Sequence, residues 1–159
     1  MKKFIITTAT ILWAATAAFA ENNIEKAQHF LAALEANDTR AASAYVHEDI
    51  IFEDPTWGAK HEGREHVLKV YEGYTGSIKD LHSYVVRSYE SNNTVVLNLV
   101  MYGKVDVLGD GNPEAYAPIM SEVTRIIEFK DDKIVRHIDL ADYNSLRSLM
   151  AAAAKERAR

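Results

Sequence analysis

Apolar positions along the chain change period once, and that change divides it into helical and extended parts. Ile24, Ala27, Leu31 and Leu34, with Phe30 beside them, recur at the spacing of one helix face. This pattern stops near Asn37, and Asp38 or Thr39 can cap a second, short helix through Tyr45. Ile50 to Phe52 reads as a short buried strand broken by Pro55 and Gly58. Gly63 to Tyr74 returns to the helical period and is closed by Gly76. Beyond it the period becomes two. Leu81 to Tyr89, a turn at Ser91, Asn92 and Asn93, and Thr94 to Val107 read as a hairpin. After a loop from Gly109 to Pro113, Tyr116 to Phe129 and Ile134 to Ala141 form two more strands around a tight turn from Lys130 to Lys133. Asp142 caps a last helix that decays into an Ala-rich charged tail, residues 151–159.

Three helices followed by a mostly antiparallel sheet predict an α+β fold. A strongly twisted sheet folded over a long helix leaves a conical cavity, a common place for small-molecule sites. Strand alternation puts Arg125, Ile127 and Phe129 on one face, and His137, Asp139 and Ala141 on one face. Leu97, Leu99 and Met101 share the face expected to form an apolar wall.

Composition narrows the partners. The 159 residues carry a formal net charge of −5, which disfavours nucleic acid and an anionic membrane surface. With no cysteine, thiolate metal sites, cysteine nucleophiles and disulfides are excluded. Lys2 and Lys3, the apolar run Phe4 to Thr16, and the A-x-A site Ala18, Phe19, Ala20 predict a secretory signal peptide cleaved after Ala20. A domain over residues 21–150 would then be periplasmic or secreted, without stable membrane association. No metal site is expected: His47, Glu48 and Asp49 are consecutive, and His61 and His66 match no ligand spacing. No phosphate loop or serine nucleophile motif is visible, so no cofactor is expected.

"HFLAALEANDTRAASAYV", "IIFEDPTWGAKHEGREHVLKVY", "VVRSYESNNTVVLNLVMYGK" and "EFKDDKIVRHIDLADYNSL" together resemble the NTF2-like superfamily, in its SnoaL-like and ketosteroid-isomerase-like branch. The resemblance implies a cone of three N-terminal helices on a curved sheet with a short C-terminal helix. It also implies a homodimer through the sheet's outer face. The branch holds isomerases, dehydratases, cyclases, epoxide hydrolases and binding proteins, so it does not name a reaction.

Within that resemblance, "FEDPTWG" is similar to the isomerase stretch carrying the general base, which falls on Asp54. Such a base removes a proton beside a carbonyl and returns it nearby. The supporting tyrosine matches Tyr71. Phe30 stands where the isomerases place an oxyanion-hole tyrosine, and Arg125 stands at or near their second donor. Two carboxylates flanking an arginine also resemble the Asp-Arg-Asp set of limonene epoxide hydrolases, with Asp139 the position that fits.

The expected catalytic set is Asp54, Arg125, Asp139 and His137, and the expected substrate-binding set is Phe30, Tyr71, Leu97, Leu99 and Met101. The expected ligand is a small apolar or carboxylate-bearing molecule. Plainer roles are open for each residue: Asp54 as a turn cap, Arg125 and Asp139 as a structural ion pair, His137 as a hydrogen-bonded core residue, and Tyr71 and Tyr74 as packing. The competing whole-protein readings are an acid/base enzyme, a ligand-binding module, and a dimer with its cavity packed shut.

Overall fold

A computed structural model describes residues 21–107 and 116–157. The signal-peptide expectation and the loop from Gly109 to Pro113 fall outside the described residues. The elements are α1 (Asn23–Glu35), α2 (Thr39–Ser43), β1 (Val46–Asp54), β2 (Ala59–Glu62), α3 (Arg64–Gly76), β3 (Ile78–Ser91), β4 (Thr94–Asp106), β5 (Tyr116–Lys130), β6 (Lys133–Ala141) and α4 (Asn144–Arg157). The strands form one sheet in the order β2-β1-β6-β5-β4-β3, antiparallel except where β1 runs parallel to β6. The α+β expectation holds.

Local chemistry accounts for the helix starts. Asn22 opens α1 with a capping box, its side chain accepting from Glu25 N–H while Glu25 accepts from the Asn22 N–H. Asp38 caps α2 by accepting from Ala41 N–H at 2.9 Å. Asp142 accepts from Asn144 N–H at 2.9 Å, as expected of a cap for α4. The Ala-rich stretch continues that helix to Arg157.

Two differences from the sequence reading matter for the site. The strand expected at Ile50 to Phe52 is longer, Val46–Asp54, and it turns back through β2, which periodicity did not reveal. Gly58, with φ of +79°, lies in the turn between them, a backbone conformation that disfavours L side chains. The hairpin therefore projects Asp54 and Trp57 at one end of the sheet.

The concave face carries the core. Val95, Leu97, Leu99 and Met101 on β4 and Ile119, Val123, Ile127 and Phe129 on β5 alternate inward, and α1 packs against β3 and β4 through Phe30, Leu31 and Leu34. A register shift near Phe129 lets Ile134 and His137, three apart, both turn inward. The register then sets Arg125 opposite both Leu97 and Asp139, and His137 opposite both Ile127 and Phe52. Polar side chains thus enter the concave face in a block on the β1-β6-β5 half, while the β4 half remains apolar.

Candidate functional site

A cavity of about 290 Å³ opens between the concave sheet, α3 and the start of α4. Its walls include Phe52, Val70, Tyr74, Met101, Ile119 and Leu146. Its polar lining contains Asp54, Tyr71, Arg125, His137, Asp139 and Tyr143. All four residues expected to carry chemistry line this one cavity, and each is buried: Asp54 5%, Arg125 4%, His137 0% and Asp139 7% exposed.

Register alone puts Arg125 beside Asp139, and the side chains complete the pair. Arg125 Nε and Nη2 donate to Asp139 Oδ1 and Oδ2 at 2.7 and 2.8 Å. Burial opposes the charge on both groups. The pair overcomes it, holding Asp139 well below the usual carboxylate range and Arg125 above its own. Nη1 of Arg125 is buried with no hydrogen-bond partner among the described residues. The ion pair therefore leaves one buried nitrogen, with two N–H hydrogens, uncommitted.

Asp139 also fixes its neighbour. His137 Nε2 lies 3.0 Å from Asp139 Oδ1, and His137 Nδ1 lies 2.7 Å from the Tyr71 hydroxyl. An ionised carboxylate only accepts, so Nε2 carries the ring hydrogen. Burial lowers the His137 pKa against the opposing pull of Asp139, which keeps the ring neutral. Neutral imidazole then accepts at Nδ1, and Tyr71 donates to it. Phe30 and Phe52 enclose this unit, with ring centroids 5.7 and 5.0 Å from His137. Burial, then Asp139, pushes the Tyr71 phenol well above its usual range, so it stays protonated.

Asp54 meets both readings that the sequence left open. Its Oδ1 accepts from Thr56 Oγ1 at 2.7 Å and from Trp57 N–H at 2.9 Å, which closes the turn at Pro55. Its Oδ2 accepts from the Tyr143 hydroxyl at 2.5 Å. Tyr143 is raised by burial first and by this hydrogen bond next, so its hydrogen stays on the phenol. Trp57 stands edge-on to Tyr143 at 5.1 Å, and Arg147 donates to the Thr56 carbonyl, tying α4 to the hairpin turn.

Three expected binding residues do not touch the cavity. Phe30 is fully buried behind Tyr71 and His137, 5.7 Å from each ring, where it packs the polar unit in place. Leu97 and Leu99 face inward but are buried in the core cluster that includes Phe30, Leu31 and Leu34, on a strand that α1 packs against. Tyr71 and Met101 do line the cavity. The sequence reading missed Tyr143, Thr56, Trp57 and Phe52. "FEDPTWG" contained Thr56 and Trp57, but nothing in the sequence marks which turn residues bend back onto Asp54. Tyr143 is remote in sequence and meets Asp54 only when β1 and β6 are paired in parallel. His61, also lining the cavity, lies 3.3 Å from His66 through ring nitrogens.

The family of SnoaL-like domains matches residues 27–137, and this chain belongs to it. Asp139 and Tyr143 lie just beyond the matched stretch. No curated protein matches the chain in sequence. Solved structures share its fold. A Shewanella putrefaciens protein assigned as a SnoaL-like polyketide cyclase superposes with a TM-score of 0.71 at 18% identity, over 81% of this chain and 96% of that one. A Catenulispora acidiphila protein of ketosteroid-isomerase-like fold, in complex with trimethylamine, gives 0.67 at 18% identity, over 80% and 92%. A Mycobacterium tuberculosis LEH-like epoxide hydrolase gives 0.64 at 15% identity, over 82% and 90%. Identities this low establish the fold and leave the reaction to the site itself.

Proposed function

We propose that this is an exported SnoaL-like protein that binds a small, largely apolar molecule in its conical cavity and acts on it by cofactor-free acid/base chemistry. Asp54 is the base, and Arg125 Nη1 stabilises negative charge developing on a substrate oxygen. One observation carries this reading: a buried guanidinium lines an apolar cavity with one nitrogen uncommitted. Packing alone does not favour that arrangement, since buried ion pairs are costly and hydrophobic replacements are often as stable. Three carboxylates, Asp54, Asp139 and Asp142, line the cavity against one guanidinium. That balance favours a neutral ligand over a carboxylate-bearing one.

The test is deuterium exchange beside the carbonyl of a neutral probe ketone, 1-indanone, in heavy water, followed by NMR. Wild type is expected to accelerate exchange, and Asp54→Asn to lower it by about 100-fold or more. Equal exchange by both proteins rejects Asp54 as the base. A second reading, ligand binding without chemistry, draws on the three donors that already occupy Asp54. It predicts calorimetric binding of the probe without exchange.

Export and pairing complete the proposal. Protein recovered from a periplasmic fraction should begin at Glu21. The outer face of the sheet exposes Tyr84, Val86, Tyr102, Met120 and Leu140, which a second copy would cover. Sedimentation should give a dimer, and Tyr84→Glu should shift it towards monomer.

A further inference from the structure

The cavity's polar end has a direction, and the direction follows from one ion pair. Asp139 is held ionised by two hydrogen bonds from Arg125, so it can only accept from His137 Nε2. His137 therefore offers a lone pair at Nδ1, and the single hydrogen of the Tyr71 hydroxyl is spent on it at 2.7 Å. What Tyr71 has left is acceptor capacity. Arg125, lining the same cavity, has the opposite: a nitrogen, Nη1, whose two N–H hydrogens have no partner among the described residues. Arg125 and Tyr71 belong to one connected unit: Arg125 bonds Asp139 directly, and Tyr71 reaches Asp139 through His137.

An acceptor and a donor that line one apolar cavity, joined through the same hydrogen-bonded unit, are complementary to one group that both donates and accepts. We infer that the floor of the cavity recognises a hydroxyl group on an apolar molecule, with Tyr71 accepting its hydrogen and Arg125 Nη1 donating to its oxygen. The inference rests on the proposed binding of a small apolar molecule and adds the substrate class. A plain ketone would satisfy Arg125 and leave Tyr71 without a donor. An ammonium group would satisfy Tyr71 and meet the Arg125 charge. Asp54 is the rival acceptor, but two of its three hydrogen bonds are internal to its own turn and the third comes from Tyr143.

The test is titration calorimetry of the full chain with 2-naphthylmethanol and its methyl ether, which keeps the oxygen acceptor and loses the hydrogen. Wild type should bind the alcohol about tenfold more tightly, since the ether leaves a buried acceptor unpaired. In Tyr71→Phe the preference should fall to about onefold, while Asp54→Asn retains it. His137→Leu serves as a second variant, because with no Nδ1 to receive it the Tyr71 hydrogen can turn outward, and the preference should weaken there too. Equal binding of the two probes by wild type overturns the inference and leaves the binding reading standing. A preference that survives Tyr71→Phe and disappears in Asp54→Asn also overturns it, moving the hydroxyl to Asp54. If neither probe binds, the binding reading and this inference fall together. Nitrogen-15 NMR gives an independent check, in which His137 must carry its hydrogen on Nε2 at neutral pH, and hydrogen on Nδ1 overturns the inference.

Discussion

Asp139→Asn is the substitution that questions the site most directly. The replacement keeps the shape of the side chain and removes its charge. The new amide oxygen can still accept from Arg125 Nε and His137 Nε2, but the amide nitrogen would face Arg125 Nη2, setting donor against donor where 2.8 Å now separates donor from acceptor. The guanidinium then keeps its charge in a place where the Arg125 and Asp139 side chains are only 5% and 10% exposed. Breaking a buried pair from one side costs about 3–5 kcal/mol, and the retained acceptor argues for the lower end, about 3 kcal/mol. For a chain of this size that corresponds to a fall in Tm of about 6–12 °C. Urea unfolding followed by far-ultraviolet circular dichroism would measure it. The double replacement Arg125→Met with Asp139→Leu should recover most of the loss, leaving His137 Nε2–H as the orphan donor. A single variant within about 1 kcal/mol of wild type would contradict this cost. It would mean that water screens the pair, so that the cavity floor is not the low-dielectric setting on which the acid/base and recognition arguments depend.

Three further outcomes follow from the same structure. Burial lowers the folded His137 pKa despite Asp139, so the unfolded chain binds the extra proton first as pH falls. The stability His137 contributes is full above the ordinary imidazole pKa, about 6.5, and is lost as pH drops below it. Melting curves between pH 7.5 and 5.5 should show this loss in wild type and a smaller one in His137→Gln. Tyr143→Phe removes the 2.5 Å hydrogen bond to Asp54 and should cost about 1–2 kcal/mol in urea unfolding; no change would mean that water replaces the phenol without penalty. Gly103→Ala should cost about 1–3 kcal/mol, because the added Cβ would stand 2.4 Å from Ile78 Cγ2 and 3.2 Å from the Lys79 carbonyl oxygen; a neutral result would show that β3 can shift away from β4 there.

Local patterns along the chain were enough for the order of every element but β2 and for most of their faces. Period alone separated α1 from the strands, and alternation correctly put Arg125, His137 and Asp139 on inward faces. The reason is that both signals are local: a side chain's direction along a strand follows from its position in the pleat. The motif around Pro55 located Asp54. Other features were settled only by the tertiary structure. The hairpin to β2 was hidden because four residues, Ala59–Glu62, are too few to show a period. Leu97 and Leu99 face inward as alternation requires, but whether an inward residue meets a helix or a cavity depends on where α1 lies, which no strand pattern records. Tyr143 reaches Asp54 across 89 residues, and Tyr71 reaches His137 across 66. Such meetings are set by sheet order and helix packing, and the chemistry they create, including which atom carries each hydrogen, exists only once the chain has folded.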